Sequence, residues 1–228
     1  MDNQQYFLSI DNGTQSVRAM VFDAQGQLIA KSKIDIEPYF SDQPGWAEQH
    51  AEYFWDALCK ACQALWPLLP IPKESIAAVS VTTQRATAIA MGADNQPLRP
   101  AISWLDQRQV ETKPALGALE SALFTLVRAK PLVDLMHKQA EANWIAQNEP
   151  NIWDKVHKFV LLSGYHNYKL TGEYKDAIAS TVGFLPFEYK TQQWADKRDW
   201  KWRAMPITQE MLPEVLPAGA ELGRITLQ

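Results

Sequence analysis

The sequence has little of what several protein classes require. It contains two cysteines and four histidines, and no apolar run approaches the roughly 18 residues of a membrane helix. The chain starts without a basic segment or a small-residue cleavage site, so we expect a cytoplasmic protein. A formal net charge of −4, without a Lys/Arg stripe interleaved with aromatics, argues against nucleic acid as the main partner. We therefore expect neither a nucleic-acid nor a membrane partner.

The two cysteines form a C-x-x-C pair, Cys59 and Cys62, that needs separate consideration. A zinc site would require a second pair or histidines at ligand spacing, and a thioredoxin-like motif would require a preceding strand. Neither pattern is present. Because Cys62 falls in an apolar helical stripe with Phe54, Leu58 and Leu65, we expect both cysteines to be ordinary packing residues.

What the chain does contain is the composition of a globular protein, with 46% hydrophobic and 21% charged residues over 228 positions. Three strand-like segments come first, "QQYFLSID", "SVRAMVFD" and "QLIAKSKIDIE", and their short connections predict antiparallel neighbours. An amphipathic helix follows in "AEQHAEYFWDALCKACQALWPLL", and then a strand in "SIAAVSVTTQ". Two further strands are expected in "TAIAMGADNQPLRPAISWLD". The predicted order is thus β-β-β-α-β-β-β.

Beyond Gln107 the pattern becomes mostly helical. Helices are predicted in "VETKPALGALESALFTLVRA", "VDLMHKQAEANWIAQNEP" and "NIWDKVHKFVLLSGYHNYKLTGE", the last capped by Gly172. A hairpin is predicted in "TVGFLPFEYKTQQW" and a short helix in "ITQEMLPEVLP", with Thr208 as its N-cap. The pattern alone is compatible with an α+β protein or with a mixed sheet that has helices on both sides.

The turn "DNGTQ" between the first two strands has two interpretations. An Asn-Gly pair between β-rich runs is the strongest short-range hairpin signal and needs no ligand. However, Asp11 ends the first strand, Gly13 and Thr14 follow, and Arg18 comes soon after. A glycine lets backbone approach a ligand, turn N–H groups bind anions, and a carboxylate can hold Mg²⁺. The turn alone leaves the hairpin and the phosphate site open.

The order of several segments carries a resemblance that no single segment carries. The Asp-x-Gly-Thr turn is followed by "PGWAEQHAEYFW", "VTTQRATAIAM", "DNQPLRPAISWLDQR" and "YKLTGE". From about Tyr6 to Gln228, this series resembles the N-terminal domain of the FGGY family of carbohydrate kinases. The resemblance implies that residues 1–228 form this domain and that a C-terminal nucleotide-binding domain is absent from the chain.

The resemblance also implies a fold and a reaction. The fold is α/β, ribonuclease-H-like, as in the actin/hexokinase superfamily: a mixed sheet with antiparallel first three strands, flanked by helices. The reaction is transfer of the γ-phosphoryl group of ATP, with Mg²⁺, to a hydroxyl of a small-molecule sugar or polyol. A homodimer is possible for the complete protein. An actin-like or chaperone-like ATPase and a non-catalytic sugar-binding relative remain as alternatives.

The site residues follow from the matching positions. Asp11 is expected to hold Mg²⁺ at the phosphates, with Gly13, Thr14, Gln15 and Arg18 as further phosphate-binding residues. The structural alternatives are a turn acid for Asp11 and a surface salt bridge for Arg18. Gln84, Arg85, Trp104 and Asp106 are expected to bind the acceptor, although Trp104 could equally be a core residue.

Three positions depart from the family pattern. Glycerol kinases carry a glutamate after the arginine, whereas this chain has Ala86, which disfavours glycerol itself as the acceptor. A lysine that often precedes the tryptophan of the middle helix by three positions is Glu141 here, and a frequent polar residue corresponds roughly to Gly164. The catalytic base of the family is an aspartate in a Gly-x-x-Asp segment, which we expect beyond Gln228. We therefore expect no catalytic base, and no turnover, in this chain alone.

Overall fold

The protein was analysed as a computed structural model that describes residues 5–111 and 116–226. Its strands are β1 (Tyr6–Asn12), β2 (Ser16–Asp23), β3 (Leu28–Asp35), β4 (Glu48–Gln49), β5 (Ile76–Thr83), β6 (Ala88–Met91), β7 (Ala101–Ile102), β8 (Lys158–Leu161), β9 (Lys175–Ala177), β10 (Phe187–Glu188), β11 (Gln193–Trp194) and β12 (Glu214–Leu216). Its helices are α1 (Ala51–Leu65), α2 (Ala118–Leu126), α3 (Lys130–Gln139), α4 (Glu141–Asn148), α5 (Pro150–Trp153), α6 (Leu162–Thr171) and α7 (Lys201–Ala204).

The first sheet has the strand order β3-β2-β1-β5. The strands β1, β2 and β3 are antiparallel neighbours, as their short connections predicted, whereas β5 pairs parallel to β1. A parallel neighbour requires a crossover connection, which here contains α1. The sheet is therefore mixed, which selects one of the two fold classes that the sequence pattern left open.

Helix α1 covers one face of this sheet, because its apolar residues recur every three or four positions. Phe54, Leu58, Ala61 and Leu65 are buried on that face and pack with residues of β1, β2 and β3 in one core. The hydroxyl of Ser32 on β3 donates to the carbonyl oxygen of Ala61 at 2.6 Å, which ties helix and sheet together. Helix α1 thereby provides the apolar support for the strands that end at the predicted phosphate turn.

A second sheet, with the order β4-β7-β6-β8, lies above a core of its own. All of its strand pairs are antiparallel. Ile102 and Phe159 from this sheet pack there with Trp144 and Ile145 of α4. The segment "SWLDQR" directly follows β7, so this second core determines where Trp104 and Asp106 lie.

The predicted helix over residues 151–173 is interrupted: residues 151–153 belong to α5 and residues 162–171 to α6, but the residues between them are not helical. Residues 158–161 form strand β8, which pairs antiparallel to β6 with Val160 opposite Ile89. A short apolar run such as "KFVLL" fits a buried strand as well as a buried helix, and only the partner strand decides between them. The second half is helix α6, and it ends as predicted at Gly172, which has a φ of 77°.

Three other helix predictions were only partly right. The helix expected over residues 133–150 is divided, since the extended residue Ala140 separates α3 from α4. In "ITQEMLPEVLP", a single 3₁₀ turn after Thr208 leads into β12, which pairs with β9. The helix expected over residues 110–129 begins at Ala118; residues 112–115 of that prediction lie outside the described residues. The predicted hairpin is confirmed as β10 and β11.

The two cysteines occupy neighbouring turns of α1 as free thiols. Cys62 packs against the first core, and burial raises the pKa of its thiol to about 12. A thiol with so high a pKa is a poor nucleophile and metal ligand at neutral pH. Within the described ranges, no helix is long and apolar enough to cross a membrane.

Candidate active site

The turn after β1 is a hairpin that places charged side chains at its base. The register of β1 and β2 puts Asp11 directly opposite Arg18, and Arg18 Nη1 lies 2.8 Å from Asp11 Oδ2. Both side chains are partly exposed, at 32% for Asp11 and 40% for Arg18. The predicted hairpin is thus present, and it carries an acid and a cation that solvent or a ligand can reach.

An open cleft of about 720 Å³ borders this turn, and we call it the phosphate cleft. Four of the five predicted phosphate residues line it, namely Gly13, Thr14, Gln15 and Arg18. Asp11 contacts the cleft through its ion pair with Arg18. The structure therefore brings the predicted phosphate-binding set to one surface.

Lys33 is a further cation in the phosphate cleft that the sequence reasoning missed. It lies on β3 opposite Arg18 of β2, and its amino group is 2.6 Å from Asp35 Oδ1. The alternation of β3 carried the signal, since a residue paired with Arg18 on the same face of the sheet must point to the same side.

Trp104 joins the phosphate turn to the predicted acceptor segment. Its indole Nε1–H faces two acceptors, Thr14 Oγ1 at 3.3 Å and Gln84 Oε1 at 3.2 Å. These three residues are far apart in sequence, yet one N–H group lies between them. With half of its surface exposed, Trp104 is not the core residue that the structural alternative supposed.

Gln84 is buried to 91%, and its amide nitrogen Nε2 has no hydrogen-bond partner among the described residues. Its backbone N–H donates to Asn12 O at 2.8 Å, which fixes the end of β5 beside the end of β1. A buried donor without a partner costs about 1 to 3 kcal/mol, so this amide is poised to bind a ligand oxygen. Arg85 and Gln84 both line a separate cavity of about 210 Å³. Trp104 does not line that cavity.

Asp106 lies close to Trp104 but is already fully occupied by the protein. Its carboxylate accepts hydrogen bonds from Ala47 N at 2.7 Å and from Arg108 N and Nε, both at 2.8 Å. Arg108 Nη2 donates to the same carboxylate at 2.7 Å. These four bonds use the lone pairs of both oxygens, so Asp106 holds the "SWLDQR" loop in place. Its contact with an acceptor stays a prediction.

A cavity of about 230 Å³ opens in front of Trp104, and we call it the acceptor cavity. Ala86 and Phe184 border it, and Gln139 and Glu141 at the junction of α3 and α4 do so as well. Burial, with a smaller contribution from the nearby charge of Asp106, raises the pKa of Glu141 to about 7. Ala86 has a φ of 52°, a left-handed conformation that is strained for a residue with a side chain.

Comparison with known proteins gives this geometry a family. Residues 6–228 match the N-terminal domain of the FGGY family of carbohydrate kinases. The chain belongs to this family. It is 30% identical over 227 residues to a glycerol kinase of Ectopseudomonas mendocina. The aligned region covers 96% of this chain and 45% of that glycerol kinase. A glycerol kinase of Thermococcus gammatolerans is 28% identical over 226 residues, covering 96% of the chain and 44% of the relative.

Solved structures share the fold at lower identity. A xylulose kinase from Rhodospirillum rubrum matches with a TM-score of 0.77 at 20% identity. The match covers 98% of this chain and 45% of the xylulose kinase. A gluconate kinase from Lactobacillus acidophilus has a TM-score of 0.75 at 19% identity, over 98% and 44% of the two chains. The predicted ribonuclease-H-like α/β fold is therefore confirmed. The FGGY chain spans less than half the length of these relatives.

Two buried residues behind the phosphate turn were missed by the sequence reasoning. Asn12 and His166 are both fully buried, and His166 Nε2–H donates to Asn12 Oδ1 at 2.9 Å. Burial lowers the pKa of His166 to about 3, so the imidazole is neutral. This bond connects α6 to the turn after β1. Only the fold could reveal it, because 154 positions separate the two residues.

A buried network of charges behind the acceptor cavity was also missed. Arg108 Nη1 lies 2.7 Å from Glu48 Oε1, and Glu48 also pairs with Arg99, whose Nε is 2.7 Å from Glu149 Oε2. The guanidinium of Arg108 stacks on Trp46, with 4.0 Å to the ring centroid. It also lies over Trp144, at 4.4 Å from that ring centroid. This network holds β4, β7 and α4 together.

Gly164, the third departure from the family pattern, lies beside a buried carboxyl group. A Cβ at this position would lie 3.4 Å from Asp176 Oδ2 and 3.5 Å from Val160, which are ordinary van der Waals distances. Asp176 is buried and accepts a hydrogen bond from Ser163 Oγ at 2.6 Å. Burial raises the pKa of Asp176 to about 6. Packing therefore does not require a glycine at this position.

Proposed function

We propose that the protein carrying this chain is a carbohydrate kinase that transfers the γ-phosphoryl group of ATP to a hydroxyl of a sugar or polyol. In this proposal the chain supplies the acceptor site and one side of the phosphate site. The observation that carries the proposal is the position of Trp104 Nε1 between Thr14 Oγ1 and Gln84 Oε1. An acceptor that packs on Trp104 would lie next to the turn that borders the phosphate cleft.

On the donor side, cationic and hydrogen-bonding groups converge on the phosphate cleft. Thr14 and Gln15 present hydroxyl, amide and backbone groups, and Arg18 and Lys33 add positive charge. Phosphoryl transfer depends mainly on positioning and on stabilising charge at the phosphoryl oxygens. The residues of this cleft suit that task for the β- and γ-phosphates of ATP.

Asp11 fits a Mg²⁺ ion that is held mainly by phosphates. Mg²⁺ in kinases keeps several waters and takes one or two carboxylates besides the phosphate oxygens. Asp11 offers one partly exposed carboxylate at the edge of the phosphate cleft. When bound, the ion would neutralise negative charge on the phosphates. Arg18 holds this carboxylate in a defined orientation through the 2.8 Å ion pair.

On the acceptor side, Gln84 and Trp104 are the proposed contacts that the geometry supports best. The unpartnered Nε2 of Gln84 would donate to an acceptor hydroxyl, and the exposed face of Trp104 would pack on C–H groups. Arg85 would reach the acceptor from the neighbouring cavity. Asp106 would contribute by keeping Trp104 and Arg108 in position, and a direct contact would need one of its donors to move.

The general base that takes the proton from the acceptor hydroxyl is proposed to lie beyond Gln228, as the family resemblance implies. The adenine of ATP would be bound by a further domain. In that arrangement, this chain would supply the phosphate cleft and the acceptor cavity, and the further domain would complete the site. We further propose that the complete protein acts in the cytoplasm and forms a homodimer.

The proposal is tested by measuring acceptor-dependent ADP formation. We expect the protein that carries this chain to form ADP when a panel of ketoses, polyols and sugar acids includes its acceptor. The chain of 228 residues alone should form none. ADP formation that needs no acceptor would instead indicate an actin-like or chaperone-like ATPase. Acceptor binding without any ADP formation would indicate a non-catalytic sugar-binding relative. Acceptor-dependent turnover by the 228 residues alone would show that the base lies within them.

A further inference from the structure

The acceptor cavity has one wall whose charge is not balanced. Glu141, the first residue of α4, and Gln139, the last residue of α3, form the wall that includes the junction of these helices. Trp104 lines the same cavity, and its indole N–H donates to Gln84 Oε1. An acceptor that packs on Trp104 inside this cavity would therefore also meet Glu141.

The cationic side chain that borders this cavity cannot balance Glu141. Among the described residues that line the cavity, Arg108 is the one cation, and its side chain is only 3% exposed. Its guanidinium donates to Asp106 and is ion-paired with Glu48, and it is stacked on Trp46. Two carboxylates already neutralise its single charge, so it has little positive potential to offer a ligand.

Among the residues that the structure describes, Glu141 has no cationic neighbour. Within residues 5–111 and 116–226, no Lys or Arg nitrogen lies within 4 Å of its carboxylate. The charged group that raises its pKa is Asp106, which has the same sign. Above its pKa of about 7, where Glu141 is ionised, an anionic group placed in this cavity would meet like charge, whereas a hydroxyl could donate a charge-assisted hydrogen bond to Glu141.

We propose that Glu141 makes the acceptor cavity select an uncharged polyhydroxylated acceptor, a polyol or neutral sugar, and reject the corresponding sugar acid. This inference rests on the proposed function and narrows its substrate class. A volume of about 230 Å³ lies below the range of about 300 to 1,000 Å³ for drug-sized ligands, so it suits a small acceptor.

The test compares ligands that differ in one group. Sorbitol and D-gluconate have the same six-carbon chain but end in a hydroxymethyl or a carboxylate group, and xylitol and D-xylonate form a second pair. Binding is measured by isothermal titration, and kcat/KM by ADP formation, on the protein that carries the chain, at pH 8, where Glu141 is ionised. For the pair that binds more tightly, we expect the polyol to be preferred by about 10-fold.

Two substitutions at one position separate charge from shape. Glu141→Gln keeps the size and removes the charge, and it should shift the preference toward the acid by about 10-fold. Glu141→Lys should shift it by about 100-fold, since it replaces a like charge by an opposite one at close range. If Glu141→Lys fails to fold, Gln139→Lys places a cation on the same wall and should shift the preference in the same direction.

The outcomes for selectivity and for phosphoryl transfer can be told apart. Equal preference for polyol and acid in the unmodified protein and in the folded variants would overturn the role of Glu141. Absence of binding of all four ligands would overturn it as well. Selective binding of the polyol without any ADP formation would support the role of Glu141 while removing the proposed kinase function. ADP formation with an acid as the better acceptor would leave the kinase function and remove the selectivity.

Discussion

Asp11 and Arg18 face each other across the first two strands, with Arg18 Nη1 at 2.8 Å from Asp11 Oδ2. The pair is partly exposed, and an exposed ion pair contributes only about 0 to 1 kcal/mol to stability. A larger role would therefore have to come from what the two side chains present to the phosphate cleft. This makes the pair a suitable first target for mutation.

We predict that Asp11→Asn lowers the rate of phosphoryl transfer by about 1,000-fold or more, because charge stabilisation dominates this reaction. The dissociation constant of the acceptor should change by less than about 3-fold, since the acceptor cavity does not include Asp11. Single-turnover ADP formation and isothermal titration with the acceptor measure the two effects. Asp134→Asn, at a partly exposed acid that lines neither the phosphate cleft nor the acceptor cavity, is the matched control and should be close to wild type. Weakened acceptor binding with an intact rate would contradict the role given to Asp11.

We predict that Trp104→Phe lowers kcat/KM for the acceptor by about 5-fold. The substitution keeps an aromatic face but removes the Nε1–H group between Thr14 and Gln84, and one such hydrogen bond is worth about 1 kcal/mol. Steady-state kinetics with varied acceptor concentration provide the measurement. Trp66→Phe, in the turn after α1, is a control outside both cavities. If both variants matched wild type, the indole N–H would have no part in the site.

We predict that Glu48→Gln destabilises the protein by about 1 to 3 kcal/mol. Glu48 pairs with both Arg99 and Arg108, and the glutamine loses these buried charge-assisted contacts, while Arg99 keeps Glu149 and Arg108 keeps Asp106 as a counterion. Urea-induced unfolding measures the loss. Asp134→Asn breaks the exposed pair of Asp134 with Lys130 and should cost no more than about 0.5 kcal/mol. A cost for Glu48→Gln as small as that of the control would show that the buried network contributes little.

We predict that Glu141→Gln changes how stability depends on pH. The pKa of Glu141 is raised from 4.5 to about 7 in the folded protein, so between these pH values the folded state keeps a proton that the unfolded state has lost. Raising the pH through this window therefore destabilises the wild-type protein, and the glutamine variant lacks this loss. Relative to wild type, the variant should be more stable at pH 8 than at pH 5.

Other shifted groups cancel in this comparison. The pKa of Asp176 is raised to about 6 and that of His166 is lowered to about 3, and both residues are present in wild type and variant. The quantity to measure is the difference between the unfolding free energies of the two proteins at each pH. A difference that does not change with pH would show that Glu141 titrates at its ordinary pKa.

The buried charges mark where sequence reasoning stopped. No sequence pattern singled out Glu48, Arg99 or Arg108, and charged side chains are rarely buried unless they are paired. Their partners come from β4, the loop before β7 and α4, and no local pattern announces such distant pairing. For the same reason Asp106 was expected to face a ligand, whereas both of its oxygens are bonded within the protein.

Strand β8 marks a different limit. Residues 158–161 were expected to be helical, and they became a strand because β6 offers them an antiparallel partner. Local periodicity cannot distinguish a short buried strand from a short buried helix, since both are continuous runs of apolar residues. The long amphipathic α1 and the hairpin of β1 and β2 were predictable, because each has a period or a turn that only one structure satisfies.

The sequence by itself determined the order of the first strands and helix, the hairpin at Asn12-Gly13 and the family to which the chain belongs. Each of these depends on local patterns or on motifs in a fixed order. The tertiary structure alone decided that Trp104 stands between Thr14 and Gln84, that Asp106 is occupied, and that none of the described Lys and Arg residues pairs with Glu141. These relations depend on distances between residues far apart in the chain, and only the packing of two sheets and their cores sets those distances.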